Sequence, residues 1–453
     1  MVTKYGRESK GCFLTRFCLF LFVVTSLHPP LVFSLPESTP PHSPSRLTPV
    51  ILIPGISRSV LRRGENGPIV WGNYRTFFSF HDQDELALPI GSSHLRENRD
   101  ALIAYDLMKG ITVIPFLLKL YANEEFFKTM KRQGYQLGDM DNPKPGDNFF
   151  VFTYDWRRDN VETAELLAAK IENLKVHFGE NTRFDLIASC AASLTARYYV
   201  LYGGKDVLDD PHPVPDYAGA RNIRKLLLVS PPHRGTALAF QVLHQGFRAL
   251  PVPFIRKYTA YEAFTAPAFF ELLPSPEEKI FVDHDGRSLN IDLYDASNWV
   301  RYGWSVFSRK ESRRLQKKIQ ERYPHSFREK MLKENKKRLH YLETVLKRAK
   351  SFKAVIDEET HPFPPFIEVY SFLLSGFPTF DKVEVSAAIF ELKFGRSLTQ
   401  KNHFSEGDSI ITLTSMRGRY KENPPYEVLA SVSHRRMVSD HSLHQRAVEI
   451  LQN

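Results

Sequence analysis

The sequence predicts an α/β protein: a mostly parallel central sheet, helices on both faces, and a helical insertion before the last strands. Three observations predict it. Short, continuously apolar runs alternate with helical periodicity between Pro49 and Ser230, and such runs, buried on both faces, belong to parallel sheets. One strand breaks at Ser189-Cys190-Ala191-Ala192 directly into a helix. The middle of the chain, from 236 to about 360, turns helical, aromatic-rich and finally basic.

Taken in order, Pro49-Val50-Ile51-Leu52-Ile53-Pro54-Gly55 is a first strand closed by a Pro-Gly turn. Residues 148–155 form a second. Val161, Ala164, Leu167, Ala168, Ile171, Leu174 and Phe178 then recur at helical spacing and stop at Gly179. Residues 182–188 form a third strand, followed by a helix from Leu194 to Tyr202 that Gly203-Gly204 closes. Residues 224–230 form a fourth, running into Pro231-Pro232. Alternation in this order argues a doubly wound sheet. Strand patterns return at 366–373 and 383–392, and Leu443 to Leu451 reads as a closing helix. The core is therefore expected over 49–235 and 361–453. The insertion at 236–360 reads as a cap over a site at the carboxyl ends of the strands.

Length and composition agree. The 453 residues are 42% hydrophobic and 25% charged, enough for a sizeable core and too apolar for global disorder. The net charge of +10 invites a nucleic-acid reading. Its distribution argues against one: between Arg309 and Lys353 there are 17 Lys+Arg and 5 Asp+Glu, a local +12 that leaves −2 for the rest. The amino terminus carries Lys4, Arg7, Lys10 and Arg16 before the apolar run Phe17-Cys18-Leu19-Phe20-Leu21-Phe22-Val23-Val24. That is the profile of a secretory signal or an uncleaved signal anchor over 1–34, so the chain is expected to be exported. A Pro-rich linker follows over 35–48. Removal of the signal takes Cys12 and Cys18 with it and leaves Cys190 alone.

A strand, a sharp turn holding a small nucleophile, then a helix is a nucleophile elbow, usually G-x-S-x-G. Small residues flank the nucleophile because strand and helix backbones approach closely there. Here the five residues are Ala188-Ser189-Cys190-Ala191-Ala192: alanine replaces both glycines, and cysteine stands in place of serine.

The run from Phe184 to Tyr199 resembles the elbow of the lecithin:cholesterol acyltransferase / phospholipid:diacylglycerol acyltransferase family, whose bacterial form is close to D-L-V-A-H-S-M-G-G-L-V-A-R-Y-Y. Four further segments agree in order, besides the opening strand that matches P-V-I-L-V-P-G. Tyr154-Asp155-Trp156-Arg157 matches Y-D-W-R, and Pro232-His233-Arg234-Gly235-Thr236 matches P-H-x-G-S/T. Glu406-Gly407-Asp408-Ser409-Ile410-Ile411 sits where the family has its acid, and Ser433-His434-Arg435-Arg436-Met437-Val438-Ser439-Asp440 resembles the closing histidine motif. The resemblance implies an α/β-hydrolase fold, no cofactor, and a triad of Cys190, Asp408 and His434 in hydrolase chain order. It also implies an oxyanion hole from the backbone N–H groups of Ala191 and Ile56. His441 competes with His434, which the register of Met437 and Ser439-Asp440 favours; the plain reading of His441 and His444 is exposed helix-start residues.

A thiol beside an imidazole is readily deprotonated and strongly nucleophilic. Polyhydroxyalkanoate synthases, on the same fold, use a Cys-Asp-His set in such a box, and a thioester hands its acyl group to an alcohol. The expected function is therefore O-acyl transfer or lipase-like hydrolysis on a lipid ester. A silent lipid-binding relative is the alternative, since a lone cysteine is also a small buried hydrophobe; a secreted carboxylesterase for small esters is another. Asp155 and Arg157 read as a buried structural pair, and His233 as a brace for its turn. No Gly-rich phosphate loop, zinc pattern or calcium loop is present, so no metal is expected. The segment 309–353 has an apolar side and reads as two amphipathic helices, either a solvated cap face or an attachment to an anionic membrane surface.

Overall fold

The computed structural model describes residues 47–77, 84–108, 111–114, 118–120, 123–248, 257–385, 392–394, 403–420 and 424–453. The signal expected over 1–34, with Cys12 and Cys18, and all but the last two residues of the linker lie outside the described residues.

The chain begins with β1 (Val50–Ile53) and continues through α1 (Glu124–Arg132), β2 (Leu137–Gly138) and β3 (Phe149–Val151). Next come α2 (Asn160–Phe178), β4 (Phe184–Ser189), α3 (Ala192–Tyr202) and β5 (Ile223–Val229). The insertion holds α4 (Ala237–Gln245), α5 (Ala260–Phe264), α6 (Pro267–Glu271), α7 (Ala296–Arg301), α8 (Arg309–Arg322) and α9 (Phe327–Val355). The chain closes with β6 (Glu368–Ser375), β7 (Tyr426–Ala430) and α10 (His441–Gln452).

The seven strands form one sheet in the order β7-β6-β5-β4-β1-β3-β2, every neighbouring pair parallel. Successive side chains of a strand point to opposite faces. Phe149 of β3 meets Phe126 of α1, with ring centroids 6.0 Å apart, and Phe150 meets Phe178 of α2 at 5.9 Å. So α1 and α2 cover opposite faces. His444 of α10 lies against Phe126, which places α10 beside α1; Thr195 of α3 bonds Asn160 of α2, which places those two together. Of the periodic residues of α2, Val161, Ala164, Leu167, Ile171 and Leu174 are buried and Ala168 and Phe178 partly so; Asp159 caps its start with bonds to the N–H of Val161 (2.8 Å) and Glu162, and Gly179 ends it with φ 106°.

The strand expected at 383–392 does not join this sheet. Val383–Val385 and Leu392–Phe394 pair antiparallel with each other, and Val383–Val385 pairs parallel with Phe281–Val282 of the insertion. The last position in the main sheet belongs instead to β7. As an edge strand, β7 exposes every second residue, including Tyr426 and Val428, so its sequence lacks the continuous apolar run that marks a central strand. The insertion is anchored through the second half of α9. Leu342, Val345, Leu346, Ala349 and Phe352 are buried there, Phe352 stacks on Tyr198 of α3, and Arg348 pairs with Asp159.

At the amino end of the central strand β4, Asp185 is fully buried and is held by Arg224 at 2.6 and 2.9 Å. Removing one member of such a pair leaves an uncompensated buried charge. Arg224→Ala is expected to lower stability by about 2–4 kcal/mol, seen as a lower urea midpoint; Asp185→Asn in the same background should recover part of it.

Candidate active site

The sheet's order reverses between β1 and β4, and in open parallel sheets the crevice at such a point is where ligands bind. Cys190 stands there. It follows β4 with φ 55°, a left-handed conformation uncommon for a residue with a side chain, and its N–H bonds the carbonyl of Val229 at 2.8 Å. The strand thus ends hydrogen-bonded, the thiol is thrown out at the tip, and α3 starts two residues later. Opposite it is Gly55 of the β1 turn. A Cβ there would lie 3.1 Å from the Cys190 Cβ and 3.2 Å from the Ser189 carbonyl oxygen, so the close approach favours glycine. Ala188 and Ala192, where the usual elbow has glycine, are both fully buried. Ser193 is buried and bonds back to the Ala188 carbonyl, and Ser189 opens onto a smaller cavity behind the elbow.

The histidine arrives from the loop after β7. His434 donates its backbone N–H to the Asp408 carbonyl (2.8 Å), and its Nδ1 lies 2.6 Å from Asp408 Oδ2. Cys190 lies beside the same ring, and the two line one cavity. Burial pushes the imidazole down; the Asp408 carboxylate and the Cys190 sulfur outweigh it and lift His434 to about 10. Asp408 is fully buried. Burial raises its carboxyl, but His434, the Ile411 N–H and the Ser230 hydroxyl together hold it below the usual carboxylate range.

Asp408 owes its place to an antiparallel pair of short strands, Phe377–Phe380 and Phe404–Gly407, off the end of β6. A Cβ on Gly407 would lie 2.2 Å from the Ile411 carbonyl oxygen, and the turn folds back so that Oδ1 accepts the N–H groups of Ile410 (2.9 Å) and Ile411 (2.8 Å). Ser230, unremarked in the sequence, has φ 50°, donates to Asp408 Oδ2 at 2.6 Å and lies 3.3 Å from His434 Nδ1. Only its place just after a strand, before Pro231-Pro232, signals it.

Ile56 lines the cavity over the thiol, and Ala191 begins the turn into α3. Among the described residues no protein group accepts the backbone N–H of either. The cavity above Cys190 has a volume of about 160 Å³ and is walled by Trp71, Trp156, Tyr258, Phe269, Leu238 and Leu272, with His434 and Arg58 also on its surface. Trp156 packs on Trp71 and Tyr258, with centroids 5.5 and 5.7 Å apart, and hydrogen bonds of both indoles to the carbonyls of Ser57 and Ser59 fix the wall.

The other sequence-marked residues divide. Arg157 is buried and held by Asp155 (2.7 and 2.9 Å), and also by Asp100 (2.6 and 2.9 Å). Its neighbour Trp156 nevertheless faces the cavity, so the motif serves both structure and site. Tyr154 donates to the Pro54 carbonyl at 2.8 Å and pins the turn that carries Gly55. His233 is buried between Glu358 (3.2 Å) and Tyr420 (3.3 Å), bracing its turn. His441 is exposed at the start of α10. His444 corrects the expectation of an exposed residue: one turn further on, it faces the core and packs on Phe126, with centroids 5.1 Å apart.

No protein-family model and no curated protein matches the chain. Among solved structures, the Tle4–Tli4 complex aligns with a TM-score of 0.54 at 13% identity, over 89% of this chain and 98% of that one. The mature lipase BlEst2 of Bacillus licheniformis aligns at a TM-score of 0.35 and 10% identity, over 91% and 96% of the two chains. EstA from Clostridium botulinum gives 0.35 and 10%, over 90% and 87%. At such identities the first likeness speaks for the fold alone. With the parallel sheet and the elbow, the fold is that of the α/β-hydrolases.

His434 sits above the ordinary imidazole value of about 6.5, so its charged contacts contribute stability in full below that pH. The contribution is lost as pH rises through about 10. An NMR titration of the His434 ring should show a midpoint near that value. Asp408→Asn should move the midpoint down toward the ordinary value, and Ser230→Ala should move it by less.

Proposed function

We propose that the protein is an acyl-transferring or hydrolysing enzyme that acts on lipid esters through a covalent intermediate on Cys190. The observation that carries this reading is the position of the thiol. It stands at the tip of a strained turn, beside an imidazole backed by a buried carboxylate, and faces an apolar aromatic cavity.

The chemistry follows from these groups. The sulfur, its proton held by His434, attacks the ester carbonyl carbon. A C–S bond forms and the carbonyl electron pair moves to oxygen, toward the Ile56 and Ala191 N–H groups. Collapse of this adduct breaks the C–O bond, and the leaving alkoxide takes the proton from His434. A thioester remains in the cavity. An acceptor alcohol then gives its proton to His434 and attacks the thioester, and the C–S bond breaks. Water in place of the alcohol gives hydrolysis. Asp408 orients the imidazole and stabilises its charged form, and Ser230 fixes the carboxylate that does so.

Two features support a lipid over a small soluble ester. The cavity is walled by large aromatic and aliphatic side chains, and its size suits an acyl chain better than an acetyl group. A thioester intermediate can pass its acyl group to an alcohol or to water, so transfer and hydrolysis share the same first half-reaction. We further propose, from the basic-then-apolar amino terminus, that the protein acts after export.

Intact mass after exposure to a long-chain activated ester tests the catalytic reading. An acyl adduct is expected on the native protein, none on Cys190→Ala, and a strongly slowed one on His434→Ala. An unmodified native protein, at pH values where a free thiol reacts, would favour the binding-protein alternative. With p-nitrophenyl esters, turnover should rise with chain length, and Leu238→Trp should shift the optimum to shorter chains by filling the cavity.

A further inference from the structure

We propose that the helical hairpin of α8 and α9 is a membrane-docking element that seats on anionic phospholipid headgroups. Its outer part has no burial to justify it. None of residues 320–337 is buried, whereas from Arg338 onward α9 packs into the body of the protein. This outer stretch carries six Lys+Arg and three Glu. It also turns apolar side chains outward: Tyr323 is 39% exposed and Leu332 59%, on either side of the turn.

The two helices enclose a cleft of about 390 Å³ lined by Arg314, Lys318, Arg322, Lys330, Lys333 and Arg338. Arg314 and Lys318 are met by Asp84, at 2.8 and 3.3 Å, and Arg338 by Glu334 at 3.4 Å. Among the described residues Arg322, Lys330 and Lys333 have no acidic partner, and the first two lie over the Tyr323 ring, 5.7 and 5.4 Å from its centroid. Three cations without an anion, gathered at one cleft, fit phosphate oxygens. The exposed Tyr323 and Leu332 add a contact that a free phosphate does not use and an acyl boundary does, so charge and apolar burial act together.

The cleft also adjoins the ester site. Tyr261 of α5 lines the cleft, while Tyr258 and Phe269, on the same short segment, line the cavity above Cys190. A docked hairpin therefore holds that cavity close to the lipid surface. The inference rests on the lipid-ester reading for its purpose, and its measurement does not require turnover.

The test is sedimentation of full-length Cys190→Ala protein with vesicles of phosphatidylcholine, alone or mixed with phosphatidylglycerol, at low and high salt. The anionic vesicles should bind at least about tenfold more tightly, with the preference lost at high salt. Combining Arg322→Gln, Lys330→Gln and Lys333→Gln should abolish that preference, and Leu332→Ser should weaken it severalfold. The same substitutions beside an intact Cys190 should leave turnover of a soluble short ester unchanged. Equal binding by the triple variant overturns the proposal. So does displacement from the vesicles by inorganic phosphate or by a DNA oligonucleotide at matched charge, since the cleft would then read phosphate from another source. Vesicle binding that depends on the three cations in a protein that turns over no ester supports the docking element and overturns the catalytic reading instead.

Discussion

The backbone of Cys190 is the constraint on which the rest of the site depends. A residue with a side chain at φ 55° is held against its own preference, at a cost of about 1–3 kcal/mol. The surroundings supply the compensation. The Cys190 N–H is bonded to β5, the α3 turn closes on its carbonyl through Ser193, and the turn of Gly55 presses against it from β1. Relax that turn and the thiol no longer points into the cavity, nor meets His434. Its identity as cysteine changes the leaving group and the nucleophile but not this geometry.

The same strain recurs around it. Among the described residues seven non-glycine positions have positive φ, and Ser57, Cys190, Ser230, Ser409 and Ser431 lie in the loops that build the site. Ser57 follows the Gly55 turn, Ser230 holds the carboxylate, Ser409 follows Asp408, and Ser431 opens the loop that delivers His434. Small hydroxyl residues accept these conformations with less strain than bulky ones, and they offer a hydrogen bond in return. The carboxyl ends of the strands therefore end in tight turns that bring Asp408, from a side pair of strands, and His434, from the sheet edge, to a cysteine in the middle of the sheet.

Much of this is legible in the sequence. The central strands β1, β4 and β5 read correctly because both faces are buried and their residues are continuously apolar. The elbow reads from an abrupt change of periodicity, and Cys190, Asp408 and His434 from ordered segments. What did not read shares a physical cause. The strand β7 exposes alternate residues at the sheet edge, so no apolar run marks it. Trp71 and Ser230 become part of the site only through long-range packing that no local pattern encodes. His444 lies one helical turn beyond the exposed His441, and which side of α10 faces Phe126 is decided by the neighbouring helix.

Three backbone bonds step across the carboxyl edge of the sheet: Cys190 N–H to Val229, Ser230 N–H to Phe372 and Ser431 N–H to Ser375. Each ties a loop of the site to the neighbouring strand, and the strands concerned include the most deeply buried part of the sheet. The loops of many enzymes open and close independently of the core. Here the amides that position the site belong to the same cooperative unit as the sheet, and their protons should exchange with solvent only when that unit opens. Warming such a protein would not loosen the site first; disorder of the site and loss of the sheet would be one event.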